Sequence, residues 1–295
     1  MGKFSKVNWE EIDPAVHFRY AAQPLQGNAH DGKSIPLKVI DPSSGEEVNF
    51  IHQAPELYMP FGIAEKEVGN RIQYRSVFSF PTVRYDTAKK DWIGKEKYVK
   101  YYKWIDSIDN YNLDHVYKNM KTWFPSSKQL KKEVLDEFYF SNTWVGDKCL
   151  SGEYSPTFTT KLQVRSDAIV TKFYNDAKEE CTYAEISGDL GRGLRVIPLI
   201  RATGLWFAGK NFGMSYQVVQ MLFFRKDQFM GCAIDIDAAS DCQSVASSVG
   251  SPLAIEINEN EEEEGEEQEK APKRLKRRKT ENNIASNFNM TEETN

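Results

Sequence analysis

A chain of 295 residues, 40% hydrophobic and 13% aromatic, can bury one large core, and no 18-residue apolar run or apolar N-terminal leader marks it for a membrane or for export. Its net charge of −5 argues against nucleic acid only until the charge is located: residues 251–295 hold 7 Lys and Arg against 12 Asp and Glu, leaving 31 of each (38 less 7, 43 less 12) in residues 1–250. Four separated cysteines and four isolated histidines (His17, His30, His52, His115) lack metal-ligand spacing, so the expectation is a soluble intracellular protein with reduced thiols and no metal or cofactor.

Residues 15–20, "AVHFRY", alternate apolar and polar and read as a strand. "SIPLKVI" (34–40) and "EEVNFIH" (46–52) flank the turn "DPSSG" and predict an N-terminal hairpin. In "RIQYRSVFSF" (71–80), Ile72, Tyr74, Phe78 and Phe80 fall on one side of a pleat and Arg71, Gln73 and Arg75 on the other. The period changes at about 92–137. Tyr98, Tyr101, Tyr102, Ile105 and Ile108, then Leu113, Val116, Tyr117 and Met120, recur at three- and four-residue steps. Pro125 breaks the run, and Leu130, Val134 and Leu135 resume it, which predicts two or three amphipathic helices inserted between strands.

Strands return in "TFTTKLQVR" (157–165), "IVTKFYN" (169–175), "CTYAEIS" (181–187), "GLRVIPLIRATGLWFAG" (193–209) and "MSYQVVQMLFFR" (214–225). Pro198 predicts an edge strand or a bulge. Ile72, Phe78, Phe80, Val218 and Leu222 are the expected core of these strands. The folded domain is expected to span 1–238. A tail over 239–295 follows: a small-residue linker, the acidic "EINENEEEEGEEQEK" (256–270), the basic "PKRLKRRK" (272–279) and a polar end, all expected to be disordered.

The stretch "GLWFAGKN" (204–211) spells most of a phosphate-binding P-loop. Leu, Trp, Phe and Ala at its variable positions are strand residues, Asn211 stands where magnesium needs a hydroxyl, and Gly213 falls where a helix must begin. The glycines at 188, 191 and 193 read as a turn between strands, Asp235 and Asp237 as solvated carboxylates, and no Ser/His/Asp or Cys/His set has meaningful spacing. A non-enzymatic chain is expected.

Charge around the same stretch points elsewhere. No Asp or Glu occurs from Leu190 to Lys226 or from Val68 to Tyr85, and both intervals mix arginine or lysine with aromatic residues. Unpaired nucleic acid asks for this mixture, because cations track phosphates, rings stack on bases, and a carboxylate in the groove opposes every phosphate contact. The expected phosphate contacts are Arg71, Arg75, Lys161, Arg165, Arg195, Arg201 and Lys210. The expected stacking groups are Trp206, Phe212 and Tyr216; Trp206 and Phe207, being adjacent, point to opposite faces.

Three segments, "MPFGIAEKEVGNRIQYRSVFSF" (59–80), "YSPTFTTKLQV" (154–164) and "LRVIPLIRATGLWFAGKNFGMSYQVVQM" (194–221), resemble the single-stranded-DNA-binding proteins of nucleo-cytoplasmic large DNA viruses, a group similar in turn to the phage replication type with an acidic tail. The resemblance implies a mainly β chain built on an OB-fold barrel of about five strands with added helices, coating exposed strands during replication, recombination and repair. It also implies that Tyr154-Ser155-Pro156 opens a barrel strand and that the 204–213 region joins the groove.

The sequence departs from the phage type in that the acidic run is followed by basic residues and the chain ends at Asn295. The run can serve as a tethered mimic of DNA, as a bait for replication proteins, or as a solvating linker. Lys273, Arg274, Lys276, Arg277, Arg278 and Lys279 read as a nuclear localisation signal for an import receptor, with a nonspecific polyanion arm as the rival reading. The expected site of action is the host nucleus or a cytoplasmic viral replication site. No membrane partner is expected, and homo-oligomerisation stays open. The competing function is a nuclear acidic-tailed chaperone or scaffold for basic proteins.

Overall fold

Strands whose side chains alternate between core and solvent set the architecture. The computed structural model describes residues 6–26, 32–68, 71–124, 130–187 and 191–224, all within Met1–Lys226, one of the chain's two compact units. The linker, the acidic run, the basic block and Asp235 and Asp237 lie outside the described residues. Five strands matter most: β1 (Leu57–Met59), β2 (Arg71–Ser79), β3 (Thr157–Leu162), β4 (Leu194–Ala208) and β5 (Asn211–Phe224). β1 pairs with β2, β2 with β3 and β4 with β1, all antiparallel. β3 runs parallel to β5, and β5 closes antiparallel on β4. The ring 1-2-3-5-4-1 is an OB-fold barrel, mainly β as expected.

Inside the barrel lie Leu57, Met59, Phe78, Phe80, Phe158, Leu162, Val196, Ile200, Val218 and Phe223, all buried. Leu222 is half-buried. Ile72 is exposed, contrary to expectation, because it sits where β2 extends past the barrel to pair only with the strand Ile63–Val68. Pro198 lies inside central β4, at the gap between that strand's pairings with Leu57–Met59 and with Ile51–Gln53, and its carbonyl accepts from the Ala54 amide at 3.0 Å. A proline with no N–H to offer is tolerated there, and the register shift between Leu199 and Ile200 supplies the expected bulge.

The N-terminal hairpin forms as read, Lys33–Ile40 against Glu47–Asn49. "AVHFRY" does not form one strand: Asp13 caps a helical turn over Pro14–His17, where a cap followed by proline favours a helix start, and only Phe18–Tyr20 is extended. "CTYAEIS" likewise yields a two-residue strand (Glu180–Cys181) and then a 3-10 turn under a Thr182–Glu185 capping box, which competes with the strand.

The helical insertion comprises α1 (Glu96–Trp123) and α2 (Lys132–Phe138). α1 lays Tyr98, Tyr101, Tyr102, Ile105 and Ile108 on the barrel core; Leu113, Val116 and Trp123 cover a second cluster with Ile35, Leu205 and Phe212. A buried polar chain fastens this helix. Asp109 accepts from the Tyr139 hydroxyl at 2.6 Å and from the Ser141 hydroxyl, while Asn112 donates to Tyr139 at 3.3 Å and accepts from Tyr20. No helix among the described residues is long and apolar enough to cross a membrane.

Candidate nucleic-acid interface

Residues in register on neighbouring strands show their side chains on the same side of a sheet. Arg75 is in register with Lys161, Lys161 with Gln217, and Gln217 with Arg201, all on outward positions of β2, β3, β5 and β4. Barrel strands are steeply tilted, so a row taken across them climbs along the barrel as it goes round. At the Arg201 end, Asn49 Oδ1 accepts from both Arg201 (3.4 Å) and Lys38 (2.9 Å), which adds a fourth cation. Among the described residues, none of these four forms an ion pair with a carboxylate.

The row is electrostatically unrelieved. Partial burial and the neighbouring Arg75 charge hold the Lys161 ammonium below its ordinary value. The Nε of Arg75 is buried without a hydrogen-bond partner among the described residues, and its Nη2 reaches only Gln73 Oε1, at 3.4 Å. An anion placed over this pair would relieve the repulsion between the two charges.

The hairpin of Ile63–Val68 with β2 sorts its charges by face. Lys66 lies opposite Gln73 and Ala64 opposite Arg75, on the cationic side; Glu65 and Glu67 lie opposite Tyr74 and Ile72, on the reverse. Glu65 is occupied there by the Tyr183 hydroxyl at 3.0 Å. Arg71 opens β2 opposite Val68; its side chain lies outside the described part of the structure.

A second row crosses the same face four residues away, about 13 Å along the strands. It runs Arg195, Tyr58, Ser79, Thr157, Trp144 in successive registers. Here β3 and β5 are no longer paired with each other. The segment Tyr139–Trp144 pairs with both: Phe140 lies opposite Gly213 on β5 and Trp144 opposite Thr157 on β3. Asn142 ties the segment to both strands, its Nδ2 donating to Met214 O at 2.7 Å and its carbonyl accepting from Thr159 N at 2.8 Å. The row continues through Gly213 to Trp206. Its rings are open to solvent: Trp144 is 57% exposed, Phe140 46% and Tyr58 41%, with Trp206 half-buried 5.8 Å from Phe140.

Two expected stacking groups are therefore corrected. Phe212 (2% exposed) and Tyr216 (1%) point inward, Phe212 against Tyr139 and Phe207, Tyr216 against Phe158. Counting back by twos from Val218 places both on the core face, a signal the sequence already contained. Trp206 and Phe207 do diverge, Phe207 packing on Phe124 and Phe212. Tyr58 was legible from the alternation Leu57-Tyr58-Met59; Phe140 and Trp144, on two-residue strands just after a helix, carried no periodic signal.

The remaining expected cations scatter. Arg195 stands at the end of the ring row, paired with Glu56 at 3.3 Å and over the Phe224 ring at 5.0 Å. Arg165 is exposed on a separate hairpin, Val164–Arg165 with Ala168–Ile169. Lys210 is exposed at the β4–β5 turn, where Gly209 takes φ +57° in the Gly-first pattern of a two-residue hairpin; "GLWFAGKN" is thus a strand and its turn, about 20 Å along β5 from Gln217. Among the described residues no cluster of three side chains could hold a metal ion.

Residues 94–231, under half of the chain, match the model of a family of unknown function (DUF5871). No curated protein matches. Among the solved structures that are similar are those of phage proteins. The single-stranded DNA-binding protein from bacteriophage Enc34 superposes with TM-score 0.38 at 15% identity, over 76% of this chain and 99% of that one. The same phage protein in complex with single-stranded DNA gives 0.37 and 14%, over 70% and 97%. The gp2.5 single-stranded DNA binding protein encoded by bacteriophage T7 gives 0.38 and 10%, over 69% and 100%. Likeness at this level is too slight to speak for a ligand.

Proposed function

We propose that the protein binds single-stranded DNA, without catalysis, across the outer face of β2, β3 and β5. The observation that carries the reading is the carboxylate-free row Arg75–Lys161–Gln217–Arg201, lying parallel to a row of exposed rings. Phosphates follow the cations and unstacked bases turn toward the rings, a division of labour that a duplex, with its bases paired inward, does not satisfy. The face of strands 2 and 3 is also where OB barrels in general take oligonucleotides. Coating of exposed strands during replication, recombination and repair, and a place among the proteins of large DNA viruses, belong to the same proposal, as does nuclear import through the basic block.

The test is a fluorescence titration with oligo-dT, oligo-rU and duplex DNA at several salt concentrations. Oligo-dT is expected to bind more tightly than duplex, and Arg75→Glu with Lys161→Glu to weaken it at least about tenfold and to flatten the log-log salt slope by roughly 1.4, or 0.7 for each lost phosphate contact. A folded double variant with unchanged affinity and slope overturns the reading.

A further inference from the structure

We propose that Gly146 is a positioning residue that seats the Trp144 indole as a nucleobase platform; this rests on the single-stranded-DNA reading and deepens it. Trp144 stands on the ring row, its side chain 57% exposed, while Gly146 beside it is buried. A Cβ on Gly146 would lie 2.4 Å from both Cη2 and Cζ2 of the indole, so the ring occupies the space that any side chain at 146 needs.

Backbone conformation does not explain the glycine. Gly146 has φ −96° and ψ 177°, values that every residue adopts. It is also the residue that precedes the helical turn Asp147–Leu150, where Ser, Thr, Asp or Asn would satisfy a free amide and stabilise the turn, and no side chain does so. The cap position favours a polar side chain at 146, and the three atoms nearest the place of its Cβ all belong to the indole. A ring braced on one side and open on the other loses little freedom when a base stacks on it.

This conflict makes the proposal testable in the full-length protein, by oligo-dT affinity, quenching of intrinsic fluorescence and urea denaturation. Gly146→Ser is expected to hold or raise stability by capping the turn, yet to weaken oligo-dT binding about 5- to 100-fold with an unchanged salt slope, because no phosphate contact is lost. Trp144→Ala is expected to weaken binding to a similar extent, and the double variant no further, since Gly146 acts only through the indole. Gly146→Ala and Trp144→Ala carry the test if the serine variant fails to fold. Wild-type affinity in folded Gly146→Ser or Trp144→Ala, or a loss that adds in the double variant, overturns the inference. If oligo-dT binding vanishes in the Arg75/Lys161 variant but survives these, only the platform fails; if the unmodified protein does not bind oligo-dT, both readings fail.

Discussion

His52 shows how burial turns one residue into a pH-dependent contribution to stability. Its Nε2 meets the Tyr101 hydroxyl at 2.9 Å, its Nδ1 is buried without a partner among the described residues, and the rings of Phe50 and Trp104 enclose it. Desolvation pushes its pKa down to about 3, so the folded protein keeps it neutral while the unfolded chain protonates it below about 6.5. Stability from this residue is therefore full above pH 6.5 and declines as pH falls, by about 1.4 kcal/mol per pH unit between roughly 6 and 3. His52→Phe is expected to lower stability at pH 7, because the Tyr101 hydroxyl loses its partner, but to remove that slope. Denaturation at pH 7, 5 and 4 decides it; parallel curves for the two proteins would show that His52 is not the source. At the same scale, Lys161 and Arg75 act as a pair whose mutual repulsion awaits an anion, which is why a single reversal at either position is a weaker test than both together.

At the scale of elements, the segment Tyr139–Trp144 links the insertion to the candidate interface. Its inward side chains, Tyr139 and Ser141, hang on Asp109 of α1, and its outward ones, Phe140 and Trp144, belong to the ring row. Asp109→Ala leaves two hydroxyls without their acceptor and is expected to cost about 2–4 kcal/mol; Tyr139→Phe removes one of those hydroxyls, so the two changes should couple by at least about 1 kcal/mol in a double-mutant cycle. Urea denaturation measures it, and additivity within about 0.3 kcal/mol would mean that the two groups do not act together. The amphipathic period of α1 and the alternation of β2 and β3 were legible in the sequence because each long element repeats its rule many times. Arg75, Lys161 and Arg201 could be named as cations on strands, but their alignment depends on strand pairing across 126 positions of chain (from 75 to 201), which no local pattern encodes. Trp144 escaped for the opposite reason: its strand is two residues long, too short for any period to show.

For the whole molecule, the proposed function requires a chain of net charge −5 to bind a polyanion. Residues 1–250 balance their charges, and the register of the strands gathers cations on one face while sending Glu65 and Glu67 to another. The excess negative charge is concentrated in residues 251–295, with seven glutamates between Glu261 and Glu269. If the strip acts as a tethered mimic of DNA, it would compete with DNA for the cationic row at an effective concentration that the tether sets, whatever the concentration of free ligand; as a solvating linker it would not compete. Deleting residues 251–295 should therefore leave oligo-dT binding equal or tighter. The gain should be greatest at low salt and should vanish as the screening length falls well below about 10 Å, the value near 0.1 M. The rival role, an acidic-tailed chaperone, makes the opposite demand: the deletion should abolish binding to histone-like partners and leave no DNA affinity to enhance. Titrating both proteins with oligo-dT and with a basic partner, at low and at high salt, separates the two. A truncated protein that binds DNA more weakly than the full chain would mean that the tail contributes contacts of its own, and that the barrel face is not the principal site.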